Sequence, residues 1–387
     1  MSAPYTPEGL SDDDLAAIDS VRRVAADVLA PRAAETDAQA RFPVEQIRAL
    51  AEIGVMGMNL PAEWGGPGLS APALSACVEA IAGACGSTAS AVTAHFLATD
   101  AILFGGDDAL RRRYLPQAAS GVALGAFALT EPAAGSNPAD MRCRAQLHGD
   151  HYRIAGTKHF ISNGGLADFI VVFAISDPDA GHRGISAFVI ERGTSGLVAR
   201  APEPTMGLRG GHIFELAFDC EVASSQRLGE PGSGFRTAMR VLDNGRIEVA
   251  SMCLGMAQAA LDASLDWAQR RQIGGQALAQ YQGIQWMLAQ MATELRAARL
   301  LTEDAARRRG AGGRFSLEAS MAKLYASEVA GRIADQALQI HGGYGYSAGL
   351  PLERYVRDLR VMRIYEGSSE VQRSIIARML IGRPGAR

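Results

Sequence analysis

Metal-ligand spacing is missing from this 387-residue sequence. Its seven histidines form no such pattern. Its five cysteines (Cys77, Cys85, Cys143, Cys220, Cys253) are scattered, odd in number and without CxxC spacing. A zinc site or disulfide framework is therefore not expected, and the thiols read as small buried hydrophobes of a reducing compartment. Charge of one sign is equally scarce. The net charge is -3 and no Lys/Arg-rich run occurs, so the electrostatic footprint of a nucleic-acid binder is lacking. The longest strongly apolar run, Phe169 to Ile175, is far too short to span a bilayer. The opening "MSAPYTPEGLSDDD" has neither a basic n-region with an apolar h-region nor the Arg-rich, acid-poor character of a transit peptide. The expectation is a cytoplasmic protein with no metal, no membrane span and no nucleic-acid partner.

Familiar nucleotide fingerprints are absent too. No GxGxxG follows a strand, no GxxxxGK[ST] occurs, and no GxSxG elbow is present, which removes Rossmann, P-loop and serine-hydrolase readings. What is there is a chain with 48% hydrophobic and 20% charged residues, ordinary for a globular protein and long enough for two or three domains. Ser11 is a plausible N-cap. Leu15, Ile18, Val21, Val24, Val28 and Leu29 follow at helical spacing before Pro31. A second helix runs from about Pro43 and stops at Gly54, and Ala-rich helix continues beyond the loop 61–70 to about Ser120. The stretches 151–163, 169–176, 184–193 and 215–222 are short, β-branched and aromatic, and turn residues separate them. These are strand signals. Helical period returns from about Gly232, with long stretches near 245–271, 283–309 and 316–340. The order α, β, α lacks the alternation of a doubly wound sheet. It predicts an N-terminal helical domain (1–121), a middle antiparallel β-domain (122–231) and a C-terminal helical bundle (232–387) suited to self-association.

Candidate chemistry sits in four places. "AFALTEPAAGSNPAD" (126–140) carries Thr130, Ser136 and exposed backbone N–H groups, which either connect elements or hold a phosphate or polar ring edge. "GGYGY" (342–346) permits close backbone approach to a ligand or simply ends a helix. Asp243 and Arg246 lie one helical turn apart, a surface ion pair when taken alone. Glu366 stands between Tyr365 and Gly367, ahead of Ser368 and Ser369, which offer an N-cap to the helix carrying Val371, Ile375 and Met379. A carboxylate against apolar walls resists ionisation, so its pKa rises toward the range useful for proton abstraction.

Taken together these stretches resemble the acyl-CoA dehydrogenase family, and the resemblance covers essentially the whole chain. It rests on "FPVEQIRALAEIGVMGMNLPAEWGGPGLS", "RRRYLPQAASGVALGAFALTEPAAGS", "GTKHFISNG", "LGEPGSGFRTAMRVLDNGR", "QIHGGYGY", "LERYVRDLR" and "IYEGSS" in that order. The resemblance implies a C-terminal four-helix bundle and one FAD per subunit. Phe127, Leu129, Thr130, Gly135 and Ser136 should line the flavin, with Thr130 on its pyrimidine edge and Ser136 between flavin and acyl-CoA. Phe160 should stack beside the isoalloxazine, Ile161 should contact the cofactor with it, and Ser162 should reach N5. Arg271, Gln282, Gln339, Gly342 and Gly343 should clasp the FAD of a neighbouring subunit, and Ser368 to Glu370 its dinucleotide arm. Asp243 and Arg246 should border the acyl-CoA tunnel, with Tyr365 and Gly367 beside the substrate. Glu366 falls on the family's catalytic base. The alternative base position, directly before the arginine, is Gly245. The implied activity is α,β-dehydrogenation of an acyl-CoA, in fatty-acid metabolism, by a homotetramer built as a dimer of dimers that passes electrons to an electron-transferring flavoprotein. Two other readings accompany it: action on a carrier-protein-bound acyl group or with oxygen as acceptor, and a non-catalytic flavoprotein scaffold. The chain departs from the family pattern at Asn137, Gly274, Gly349 and the segment 209–214, which bears on cofactor affinity and substrate type.

Overall fold

The computed structural model describes residues 5–382. Ser11 caps α1 (Asp12–Val24), accepting from the Asp14 N–H while the Asp14 side chain accepts from the Ser11 N–H. That reciprocal pair is a capping box with Asp in place of Glu. The helix does not end at Pro31 as its sequence suggests. A π-helical turn over Ala25–Leu29 leads directly into α2 (Ala30–Ala38), with Pro31 in its first turn. There the missing N–H costs no helix bond. α3 (Val44–Glu52) ends at Gly54, which takes φ +78°. α4 (Ala71–Ala84), α5 (Gly86–Gly105) and α6 (Asp108–Ala119) complete the first helical layer.

The chain then forms β1 (Gly125–Ala128), β2 (Arg144–His148), β3 (His151–Ser162), β4 (Phe169–Ile175), β5 (Ile185–Glu191), β6 (Leu197–Ala199), β7 (Ile213–Ala223) and β8 (Arg227–Leu228). The sheet runs β6-β7-β3-β2-β4-β5-β8, with β1 beside β4. Most pairs are antiparallel, but β1 lies parallel to β4, from Gly125 opposite Phe169 to Ala128 opposite Val172. The sheet is therefore mixed rather than wholly antiparallel. β4 is buried on both faces because its alternate side chains serve two cores. Phe169, Val171 and Phe173 join α5 and α6, while Ile170, Val172 and Ala174 meet Tyr152, Phe188 and Phe218.

The C-terminal part is α7 (Gly234–Arg270), a hairpin of β9 (Gln272–Ile273) and β10 (Gln276–Ala277), α8 (Gln282–Gly310), α9 (Ser316–His341), the single turn α10 (Gly343–Tyr346), α11 (Leu352–Arg360) and α12 (Ser369–Ile381). Gly274 and Gly275, both at positive φ, make the two-residue hairpin turn, a geometry that favours glycine. α7, α8, α9 and α4 share one core of Leu, Met and many Ala side chains. Where α4 crosses α7, a Cβ on Gly255 would fall 2.0 Å from the Glu79 carbonyl oxygen. Among the described residues no helix is long and apolar enough to cross a membrane.

The tight crossing gives a paired test. Gly255→Ala overpacks the α4–α7 contact and should lower stability by about 1–3 kcal/mol. Gly283→Ala, at a helical site with nothing within 4 Å of the added Cβ, should leave it unchanged or slightly raised. Thermal melts of the two variants beside the parent protein check both outcomes.

Candidate active site

Between α11 and α12 the backbone makes a turn through two successive residues at positive φ, Glu366 at +52° and Gly367 at +90°. For a glutamate this region is disfavoured and persists only where surroundings impose it. The turn sends the Glu366 side chain onto α7, where a Cβ on Gly245 would lie 2.1 Å from its Oε2 and 2.8 Å from a methyl of Leu97. Only glycine at 245 leaves room for the carboxyl. The residue as a whole is half-buried, yet Oε2 is enclosed and has no hydrogen-bond partner among the described residues. Burial pushes the Glu366 carboxyl up to about 7, against the pull of Lys323 and Arg246. Nor does the Glu366 N–H donate to any described group. Beside it the half-buried Tyr365 donates its hydroxyl to Met362 Sδ at 3.0 Å.

Asp243 and Arg246 do not form a surface pair. Arg246 is buried and donates to Asp243 Oδ1 at 2.5 Å, and the Ser316 hydroxyl at the start of α9 holds the other carboxylate oxygen. Burial lowers the Arg246 pKa and raises that of Asp243. Two further carboxyls lie close by and are not evident in the sequence. Asp100 accepts from Asn244 Nδ2 at 2.6 Å and Asn59 Nδ2 at 2.7 Å. Glu248, one helical turn beyond Gly245, is buried with neither oxygen hydrogen-bonded and has Arg309 at 3.8 Å. Burial, reinforced by Asp100, pushes its pKa well up. An acidic residue on an amphipathic helix reads as solvent-facing, so only the folded helix pair reveals both groups.

A second set of candidate residues gathers at the end of β1. Leu129 is buried, Phe127 and Thr130 are half-buried, and Gly135 and Ser136 are exposed. The Thr130 carbonyl accepts from the His159 N–H at 2.9 Å, which ties this loop to an irregularity in β3 between Lys158 and Ile161. There Phe160 takes φ +58° and is thrust outward, 58% exposed and stacked on His159. Ile161 turns back into the core and Ser162 stays half-buried. The Phe160 ring is exposed, and no other described residue hydrogen-bonds the hydroxyls of Thr130, Ser136 and Ser162. These residues fit the polar edge and flat ring of a flavin. Beneath the loop, fully buried Lys158 donates to Glu131 Oε1 at 2.8 Å and to the Leu129 carbonyl at 2.9 Å. Glu131 also accepts from the N–H groups of Arg142 and Cys143. This brace has a faint signal in the sequence, since Lys158 shares the inward phase of Tyr152 and Ile154 in β3.

α5 links the two sets. Leu97 touches Gly245, a Cβ on Gly125 of β1 would meet Ala98, and Asn163 after β3 donates to the Ala91 carbonyl. The 209–214 segment docks on the same helix, with the Gly210 N–H on Ser87 Oγ, and any side chain at Gly210 would strike Thr36 and the Arg41 carbonyl. Asn137 accepts from the Ala139 N–H and so opens the short turn Pro138–Asp140.

A third set lies elsewhere. Arg271, Gln282, Gln339, Gly342 and Gly343 are all exposed, and Arg271 sits over the Tyr344 ring at 5.7 Å. Gln339 is 16 positions along α9 from Lys323, which places it about 24 Å from the Glu366 turn. Gln339 thus stands well away from Glu366 of its own chain. Ser368 caps α12 by accepting from the Val371 N–H, and Glu370 is exposed in its first turn.

Known proteins share this arrangement. The acyl-CoA dehydrogenase N-terminal, middle and C-terminal domain families match residues 11–122, 126–220 and 232–381. An acryloyl-CoA reductase (NADH) of Anaerotignum propionicum is 42% identical over 358 residues, 92% of this chain and 91% of that protein. An acyl-CoA dehydrogenase of Bacillus subtilis is 40% identical over 364 residues, 94% of this chain and 96% of that protein. The butyryl-CoA dehydrogenase structure from Megasphaera elsdenii superposes with a TM-score of 0.95 at 35% identity, covering 97% of this chain and 100% of the other. The chain belongs to the acyl-CoA dehydrogenase family. It is accordingly an oxidoreductase on an FAD-binding fold built for acyl-CoA dehydrogenation chemistry.

The buried brace yields a stability test. Lys158→Met strands the Glu131 charge, and breaking one half of a buried pair typically costs about 3–5 kcal/mol. Adding Glu131→Gln to the same protein should recover part of that loss. Denaturant titration of the single and double variants reads the difference.

Proposed function

We propose that the protein converts an acyl-CoA to the trans-2-enoyl-CoA, with Glu366 removing the α-proton. The observation that carries this reading is the enclosed, unpartnered Glu366 Oε2 lying on Gly245, with its carboxyl pushed up to about 7. A base with that pKa is ionised in part at neutral pH and strong enough to take a proton from a carbon next to a thioester. When bound, FAD supplies the hydride acceptor, its N5, for the β-carbon. Thr130, Ser136, Phe160 and Ser162 hold the flavin, and Phe127, Leu129, Gly135 and Ile161 shape the wall behind them. Ser368 and Glu370 meet its dinucleotide arm. Asp243, Arg246, Tyr365 and Gly367 border the acyl-CoA. The free Glu366 N–H polarises the thioester carbonyl as negative charge develops there.

Glu366→Gln keeps the shape of the side chain and removes the base. The variant should bind FAD and acyl-CoA normally, yet its flavin should bleach about 10²–10⁴-fold more slowly with substrate in single turnover. Dithionite should still reduce it. Bleaching at the parent rate would remove Glu366 from the chemistry. In the parent protein the base must be ionised to act, so kcat/KM should fall as pH drops through about 7. Reduced flavin with bound product should resist oxygen and yield its electrons to an electron-transferring flavoprotein. Prompt reoxidation by oxygen would replace that acceptor with oxygen itself.

Assembly is the second part of the proposal. Arg271, Gln282, Gln339, Gly342 and Gly343 are exposed on the bundle, with Gln339 about 24 Å along α9 from Lys323. In a homotetramer arranged as a dimer of dimers this set clasps the FAD of a neighbour. Exposed Trp286, Tyr344 and Tyr346 around the same end of the bundle supply apolar contact area. Arg271→Ala should therefore loosen FAD and subunit assembly together. Light scattering and flavin release on gel filtration measure the two; a monomer that holds FAD tightly would dismiss the arrangement.

A further inference from the structure

The strained Glu366–Gly367 turn is held by two side chains that touch no reacting atom. Lys323 comes from the third turn of α9 and is fully buried. Its Nζ donates to the Gly367 carbonyl at 2.7 Å. Gln372 comes from the second turn of α12 and is also fully buried. Its Nε2 donates to the Glu366 carbonyl at 3.1 Å and to the Gly367 carbonyl at 3.0 Å. Two consecutive carbonyls are thus pinned by three N–H bonds from two different helices. The fit is tight as well, since a Cβ on Gly367 would stand 2.5 Å from Gln372 Nε2.

We propose that Lys323 and Gln372 are positioning residues for the reaction: they force the backbone at Glu366 and Gly367 into the left-handed region and so hold the Glu366 carboxyl on Gly245. This inference rests on Glu366 being the base. Without the clamp, a non-glycine residue at +52° relaxes toward negative φ, which swings its side chain off Gly245. Lys323 has a second effect that Gln372 lacks, because it also brings a positive charge to the carboxyl. The charged and titratable groups around the pair are Arg246, Glu248 and Cys253 from α7, Glu328 from α9 itself, Arg363 and Tyr365 from the segment before the turn, and Glu370 from α12. Of the cations, Lys323 opposes the burial of Glu366 most, ahead of Arg246. Burial lowers Lys323 itself to about 8, so it remains largely cationic at neutral pH.

The two contributions separate by substitution. Gln372→Met removes two hydrogen bonds and no charge. Single-turnover flavin bleaching should slow by about ten- to a hundredfold, as small misplacements of a reacting group do, while KM holds and the acid limb of the kcat/KM profile does not move up. Lys323→Met removes a bond and the charge. It should slow bleaching too, and its acid limb should move up by about one pH unit or more, because an opposite charge within reach normally lowers a carboxyl by that much. Lys323→Arg, which keeps the charge, should return the limb to its parental position. A readout free of turnover is the Glu366 carboxyl infrared band, identified by its loss in Glu366→Gln; its titration midpoint should rise in Lys323→Met and not in Gln372→Met. If Lys323→Met fails to fold, Lys323→Gln and Gln372→Met carry the same test. Parental rates and an unmoved midpoint in the folded Lys and Gln variants, with Glu366→Gln inactive, would overturn the positioning role alone. Parental bleaching in Glu366→Gln would instead overturn the assignment of the base.

Discussion

A carboxyl group that must shed water and find no hydrogen-bond partner imposes more on this chain than any other single group. Glu366 Oε2 occupies the space where position 245 would otherwise carry a side chain. Glycine in a helix interior costs roughly 1 kcal/mol, and α7 bears it within 37 residues packed on α4, α8 and α9. The same carboxyl requires a left-handed residue at 366. Gly367 follows because its neighbour Gln372 leaves no room for a Cβ. The isolated charge is in turn tolerated only because Arg246 and Lys323 stand near it. Removing any of these glycines or cations would alter the carboxyl before it altered the fold.

Helix α5 converts this local constraint into an architecture. From Gly86 to Ile102 every residue is buried, because the helix faces α7 on one side and the sheet on the other. Its small side chains let Gly125 and Gly211 approach closely. Gly245, on which the base rests, and β1 are thus both set against one rigid element, at Leu97 and Ala98. The Lys158–Glu131 pair then stiffens the β1 loop from below, which keeps Thr130 and Phe160 in register with each other. A buried pair of this kind is weak evidence for stability, and its use here is to fix the path of a loop between two cores.

Much of the framework was legible before the structure. The N-cap at Ser11, the stop at Gly54, the four long strands and the three long C-terminal helices all follow from period and punctuation. β1 was not legible, because Gly-Ala-Phe-Ala lacks the β-branched residues that mark a strand and is held by its partner β4. Pro31 looked like a helix end because the five-residue π-turn just before it has no signature in side-chain spacing. Of the site, Glu366, Asp243 and Arg246 stood out only through the combined motifs. Lys323, Gln372, Asp100 and Glu248 did not stand out at all. Lys323 does share the buried stripe of Ala319, Ala326 and Ala330 on α9, but a lysine there reads equally well as a snorkelling surface residue.

By itself the sequence determined most of the long helices and strands, several of the glycine turns that bound them, and which family the chain resembles, since these depend on neighbours within a few positions. Tertiary structure alone decided which ionisable groups lose their water. That choice depends on residues more than forty positions apart meeting across α5, α7, α9 and the α11–α12 turn, and desolvation sets in only once those elements have packed.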